Sequence, residues 1–208
     1  MDEGAASKQN HLVAVEDLSD IGDEDLMLRY KDGDVAAFDI LVRRHRNGVI
    51  NFLYRMTNNR DTAEEVCADT WLKIHRAASR YEPRARFTTY LYTVAYRQCL
   101  TVLGSKAQRV QAAGVDVDVL DRASVTGSAH TEGGKLSPEK EVIVDQQLRR
   151  LNAEVHNLPE AHRAAFLLYY VEGLSCKDIA GVLNLAAKEV KGRLAYARRL
   201  LRERVVLT

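Results

Sequence analysis

Apolar residues recur every three or four positions along most of this chain. Phe38, Leu41, Val42, Val49, Phe52, Leu53 and Met56 fall near helical spacing and draw one apolar stripe. From Asp61 onward Ala63, Val66, Cys67, Thr70 and Ile74 draw another, with Glu64, Glu65, Asp69 and Lys73 around the rest of that helix. Leu91, Val94, Ala95, Cys99 and Val102 mark a further helix, begun by Thr88 or Thr89. A strand needs a period of two to bury one face, and the helical period dominates instead, so the chain reads as all-α. Only 3 Pro and 12 Gly are spread over 208 residues, leaving long helices uninterrupted.

Breakers divide the pattern. Asp23 is placed to cap a short helix that stops at Gly33, and Asp34 to cap the next. Asn58–Asn59 separates the second helix from the third, and the Pro83-containing stretch Tyr81–Arg86 is a loop. Residues 23–110 thus make one small helical domain, preceded by a tail, 1–22, with no sustained period. Between Ser124 and Ser137 lie Thr126, Gly127, Ser128, Thr131, Gly133 and Gly134, and 111–137 reads as a flexible acidic linker. Ser137-Pro138 looks like a helix cap followed by Pro at the first helical position. The helix it opens runs through Val142, Leu148, Leu151 and Val155 and stops before Pro159. Another spans about Glu160 to Val171, halted by Gly173. The expected architecture is two small helical domains, 23–110 and 138–208, on a flexible tether.

Several classes of function fall away. No apolar run approaches the ~18–20 residues of a membrane span. The first residues are acidic where a signal peptide would be basic and then apolar, so no export is read. Cys67, Cys99 and Cys176 are odd in number and far apart, which indicates neither a disulfide framework nor a zinc knuckle and suits a reducing cytoplasm. His45, His75, His130, His156 and His162 lack metal-ligand spacing, and Asp20–Asp25 lacks the calcium-loop pattern. With no phosphate-cradling glycine loop and no nucleophile–base set, neither a cofactor, a metal nor an enzyme activity is expected.

The formal net charge of +1 conceals a strong alternation. Residues 1–25 are strongly acidic. Residues 71–110 carry Lys73, Arg76, Arg80, Arg84, Arg86, Arg97, Lys106 and Arg109 against Glu82 alone. Residues 111–147 are acidic again, and 186–204 carry seven Lys and Arg against Glu189 and Glu203. Two basic blocks either side of an acidic stretch suit two contacts with nucleic acid; solvated helix faces are the plainer alternative.

The C-terminal block has the clearer mechanism. Ser175-Cys176-Lys177-Asp178 resembles a capping box with Asp in place of Glu, and it opens a short helix containing Ile179, Ala180 and Leu183. Asn184 tolerates the left-handed backbone of a tight turn. A second helix follows from about Ala186 to Arg204. Ala180, Asn184 and Val190 supply a close crossing, a turn and an apolar lock, the spacing of a helix-turn-helix. Val190, Leu194, Ala197 and Leu201 face in. Lys188, Lys191, Gly192, Arg193, Tyr196, Arg198, Arg199 and Arg202 remain for a major groove and its phosphates. An ordinary helical hairpin with a basic face is the alternative.

In the earlier block Tyr81, Phe87, Tyr90, Tyr92 and Tyr96 are interleaved with Arg84, Arg86 and Arg97. Rings with cations suit unstacked single-strand bases, although aromatic residues at helical spacing also build cores.

The order of parts resembles the sigma-70 family, in particular its group four, the extracytoplasmic-function (ECF) sigma factors of bacterial RNA polymerase. Three stretches carry it: Asp34-Val-Ala-Ala-Phe-Asp through Asp61-Thr-Ala-Glu-Glu-Val; Arg86-Phe-Thr-Thr-Tyr-Leu-Tyr, similar to the family's F-x-T-W-L-Y; and Leu158-Pro-Glu with Val171-Glu-Gly-Leu-Ser-Cys-Lys-Asp-Ile-Ala and Glu189-Val-Lys-Gly-Arg-Leu-Ala-Tyr-Ala-Arg. The resemblance implies that 23–110 is region two and 138–208 region four. It implies that Glu64, Glu65, Asp69, Trp71 and Lys73 contact the coiled coil of the polymerase β′ subunit, and that Arg84, Arg86, Phe87, Tyr90, Tyr92, Tyr96 and Arg97 open the −10 element. The helix from Ala186 would then read the −35 element and the helix near Glu160–Val171 meet the β flap. An anti-sigma factor is implied as a further partner. The chain departs from the pattern at Ala68-Asp69, where Gln-Glu is common, at Tyr90 for Trp and at Arg97 for Asn. The alternative from the residues themselves is an autonomous helix-turn-helix regulator, which needs only the C-terminal basic block.

Overall fold

The computed structural model describes residues 20–112 and 150–206, and every regular element in them is helical. The linker and most of the tail expected from sequence, with the helix start at Ser137-Pro138, lie outside the described residues. Helices are numbered α1 (Asp23–Lys31), α2 (Val35–Thr57), α3 (Arg60–Ala77), α4 (Phe87–Ala112), α5 (150–156), α6 (Glu160–Tyr170), α7 (Cys176–Leu183) and α8 (Ala187–Val206).

Local chemistry sets most of the boundaries. Gly33 adopts a φ of +107°, open to glycine and strained for other residues, and this turns the chain from α1 into α2. The Asp34 carboxylate accepts the backbone N–H of Ala36 and Ala37 and caps α2 as expected. Asn58 takes the left-handed conformation (φ 52°) that ends α2, and Asn59 then caps α3 by accepting the N–H of Thr62 at 2.8 Å. Asp23 does not cap α1. Gly22 stands at the cap, and the Asp23 carboxylate instead holds Arg44 at 2.8 Å and His45 at 2.6 Å on α2. The Arg44 guanidinium and the His45 ring together outcompete a local N–H for that acid. The loop over 81–86 forms, and α4 begins at Phe87, slightly ahead of either threonine.

Helices α1–α4 pack round Leu26, Met27, Leu41, Phe52, Leu53, Met56, Ile74, Phe87 and Leu91, all fully buried. Each such side chain contributes about 1.5–3 kcal/mol over exposure. Tyr30 stacks on Phe38 at 4.4 Å, and Trp71 meets Phe38 edge-on at 5.8 Å, sealing the corner of α1, α2 and α3. Helices α5–α8 enclose Leu167, Leu168, Ile179, Val190 and Ala197. The halves are not separate: α4 packs on α7 and α2 on α6, so one apolar cluster runs through both. Cys67 and Cys99 are buried and Cys176 partly so, and all three are free thiols. No helix among the described residues is long and apolar enough to cross a membrane.

Candidate nucleic-acid interfaces

The Ser175 hydroxyl accepts the N–H of Asp178 at 3.2 Å and donates to the Asp178 carboxylate at 2.6 Å, closing the first turn of α7. That bond, ahead of burial, holds the Asp178 carboxyl below the usual carboxylate range. Asn184 is left-handed (φ 54°), and the Leu185 N–H returns to the Ala180 carbonyl at 2.9 Å, so the turn closes tightly. Glu189 then accepts the Ala186 N–H at 2.9 Å and fixes the start of α8. Ile179, Val182 and Leu183 of α7 meet Val190, Leu194, Ala197 and Leu201 of α8 as the apolar lock.

What α8 leaves outside is cationic. Lys188, Lys191, Gly192, Arg198, Arg199 and Arg202 are exposed, and Arg193 is half-buried. The Arg199 guanidinium lies 5.3 Å over the Tyr196 ring, whose other neighbour is His162 at 4.7 Å. A helix N-terminus followed by this row of donors matches the needs of base edges first and phosphates after.

The expected strand-opening set is divided by the fold. Arg84, Arg86 and Arg97 are exposed, with Arg84 paired to Glu82 at 2.6 Å. Tyr90 is half-buried against Tyr81 and Phe87. Phe87 is fully buried beside His45 and serves the N-terminal core. Tyr92 and Tyr96 are buried: the Tyr92 ring meets Phe52 of α2 edge-on at 5.4 Å while its hydroxyl donates to Glu172, and Tyr96 faces the charges of Glu160 and Arg193. Burial pushes the Tyr90, Tyr92 and Tyr96 hydroxyls up, keeping them neutral donors; beside Glu24, the Tyr81 hydroxyl is pushed up to about 12, chiefly by burial.

On α3, Glu64, Glu65, Asp69 and Lys73 line the outer face together with an exposed Leu72. Glu64 pairs with Arg60 at 2.9 Å, and Lys73 bonds the Gln98 side chain of α4. Trp71 is only 8% exposed and shapes the inner seat of the helix. A second exposed apolar surface, Tyr169, Tyr170 and Val171, ends α6. Nothing in its local spacing distinguishes it from core, which is why sequence reasoning passed over it. The same holds for Leu72. No group of three or more His, Cys, Asp and Glu among the described residues could hold a metal ion.

Comparison with known proteins decides what this pair of surfaces belongs to. Residues 41–109 match the family model for sigma-70 region 2, and residues 148–201 that for sigma-70 region 4. The chain belongs to the sigma-70 family. Among its relatives are an ECF RNA polymerase sigma-E factor of Haemophilus influenzae, 27% identical over 88% of this chain and 95% of that protein, and the RNA polymerase sigma-H factor of Pseudomonas aeruginosa, 28% identical over 85% and 90%. The fold is that of the sigma factor RpoE of Bartonella quintana, solved in complex with the anti-sigma factor NepR (TM-score 0.68, 19% identity, 84% of this chain and 99% of that one). It is likewise that of CnrH, solved with the cytosolic domain of CnrY (TM-score 0.62, 19% identity, 87% and 95%). Sigma-70 members are not enzymes, and the all-helical fold with regions two and four stands as expected from the sequence.

Proposed function

We propose that this chain is an ECF sigma factor: it joins core RNA polymerase, directs it to promoters through −10 and −35 contacts and helps to open the duplex. The observation that supports this most is the exposed cationic face of α8 on a capped helix-turn-helix, following a region-two body in the same chain. The chain contributes binding energy and no bond-making step. Nucleotide addition and its magnesium belong to the polymerase.

Within this reading 23–110 and 138–208 are the working halves. Glu64, Glu65, Asp69 and Lys73 on α3 form the acidic and mixed surface for the β′ coiled coil, with Trp71 bracing it. The exposed Tyr169, Tyr170 and Val171 suit the β flap, since an apolar cluster on a small body is a surface for a partner. Arg84, Arg86, Tyr90 and Arg97 engage the −10 strand, with Tyr92 and Tyr96. Capturing an extruded base on rings and donors offsets part of a stacking cost of about 1–2 kcal/mol per step. Lys188, Lys191, Gly192, Arg193, Tyr196, Arg198 and Arg199 read and clamp the −35 duplex. The acidic residues of 111–137 would imitate nucleic acid along the polymerase's basic RNA path; neutralising them should weaken holoenzyme or alter promoter escape. An anti-sigma factor holds such a chain in check in the cytoplasm.

Run-off transcription with core enzyme on a promoter library tests the assignment. Promoter-selective transcripts that depend on this chain are expected. Failure to join core polymerase, together with tight, selective DNA binding by the chain alone, would replace it with an autonomous regulator.

A further inference from the structure

Helix α8 carries one large apolar side chain that stands exposed among cations. Tyr196 is 37% exposed, whereas Val190, Leu194 and Leu201 of the same helix are buried. Its ring is nonetheless seated. The His162 ring of α6 lies 4.7 Å away, tilted by 49°, and the Arg199 guanidinium sits over it at 5.3 Å. Arg199 is itself held by Glu203 at 3.9 Å. A side chain fixed before its partner arrives has little freedom left to lose on binding.

His162 contributes shape rather than polarity. Its Nδ1 is buried and has no hydrogen-bond partner among the described residues. Burial, and then the charge of Arg193, hold its titration below the usual histidine value and keep the ring neutral. What Tyr196 meets on α6 is a flat, uncharged surface.

One turn before Tyr196 the same face is bare. Gly192 stands four residues ahead on that side of the helix, and a Cβ built there would meet nothing within 4 Å. Packing does not require the glycine. Its effect is outward: with no side chain at that turn α8 can approach a duplex closely, and Tyr196 is the next group along that line. Hydrogen bonding gives a tyrosine little to discriminate by in a major groove, because its hydroxyl both donates and accepts. The thymine methyl differs, being the apolar group on the groove floor that an apolar ring contacts.

We propose that Tyr196 reads one thymine of the −35 element through its C5-methyl group, and that His162, on a helix outside the helix-turn-helix, is the positioning residue that sets the ring for it. This rests on the −35 reading of α8 given above.

The test uses holoenzyme assembled from core polymerase and the full-length chain. It is bound to a promoter selected by run-off transcription, with each −35 thymine replaced singly by deoxyuridine. That change deletes one methyl and keeps every hydrogen-bonding group. Competition binding should find one position where the wild type loses about three- to fivefold, as for one methyl taken out of contact. Tyr196→Ala puts a good helix former at an exposed position. It should bind thymine and deoxyuridine equally there and keep its preferences at the other −35 positions. His162→Ala should bring the ratio close to one. His162→Phe keeps a ring, removes the unpaired nitrogen and should restore the ratio; a merely structural role for His162 would weaken both duplexes alike. Binding by the wild type that ignores the methyl at every position overturns the proposal, as does a sensitivity that survives Tyr196→Ala. A wild-type ratio in His162→Ala, or no restoration by His162→Phe, overturns the positioning role. If scrambling the −35 bases leaves wild-type affinity unchanged, the −35 reading itself fails. Ordinary base preference without methyl sensitivity confines the failure to this proposal.

Discussion

The Glu24 carboxylate accepts the backbone N–H of Phe87 at 2.5 Å, across 63 residues of sequence. An acid on α1 thereby caps α4 at the point where the expected −10 segment begins, and sets its entry angle. The Lys31 ammonium donates to the Tyr81 carbonyl at 3.0 Å and ties the same loop from the other side. Both bonds hold Arg84–Tyr90 on a rigid frame.

Glu24→Ala leaves that first-turn N–H without its acceptor. A loss of about 0.5–2 kcal/mol in urea unfolding is expected, with Glu24→Gln losing less because it keeps one acceptor oxygen. Equal losses for the two would show that the bond contributes little.

The cap on α7 carries its own pH signature. Asp178 is held low by Ser175 first, with Thr89 and Arg86 also favouring its charged form against burial. A carboxyl lowered on folding adds stability above its unfolded value, and loses it as pH falls through the folded value. Ser175→Ala should raise the Asp178 titration in NMR and flatten the acid limb of the stability curve. An unmoved titration would show that the hydroxyl is not the cause.

Glu172 runs the other way. Burial raises its carboxyl, opposed by the Tyr92 bond and then by Arg55. An acid raised on folding destabilises the fold while charged, so its contribution to stability rises as pH falls from neutral through the folded value, and levels off below the unfolded one. Glu172→Gln removes that charge and should flatten this part of the stability curve in urea unfolding between neutral and mildly acid pH. An unchanged curve would show that the Glu172 carboxyl is not the cause.

The contrast between these sites explains how much the sequence disclosed. Asp34, Asn58, Asn59, Ser175 and Asn184 act on backbone within three residues of themselves, so their caps and turns were readable. The core stripes of α2 and α3 were readable for the same local reason. Helix α4 was harder. Phe87 and Leu91 are buried in the N-terminal core, whereas the Thr89 and Tyr92 hydroxyls bond carboxylates 80 and more residues away, and the Tyr92 ring also meets Phe52 edge-on. Spacing alone cannot separate a ring kept for a base from one covered by a distant helix. Asp23 fell short for a related reason: its partners, Arg44 and His45, lie on another helix.

In the proposed strand-opening segment Tyr90 is half-buried, and Arg84, Arg86 and Arg97 are exposed. Tyr90 rests on Tyr81 and Phe87, a seated ring that a base can stack upon without rearranging the core. Tyr90→Ala or Arg97→Ala should weaken open-complex formation while closed-complex binding is largely kept, since stacking is worth about 1–3 kcal/mol per base. Permanganate footprinting reads the first and gel shift at low temperature the second. Parallel losses in both would assign these residues to duplex binding instead.

On α8 the position of each cation predicts a different loss. Lys191 is exposed in the leading turns, and Arg193 is half-buried with its charge turned toward Tyr96 and His162. Arg198 and Arg199 lie two turns later, and Arg199 is engaged with Tyr196 and, at 3.9 Å, with Glu203. Leading-turn donors meet base edges, so Lys191→Ala should cost roughly 1–3 kcal/mol of discrimination at one −35 position. Arg193→Ala should do the same in the assembled polymerase. A phosphate contact carries no sequence information, so Arg198→Ala should weaken all promoters alike and reduce the salt slope by about one. Run-off transcription over a −35 library at two salt concentrations separates these outcomes. A uniform loss for Lys191→Ala, or a selective one for Arg198→Ala, would turn the helix round in the groove.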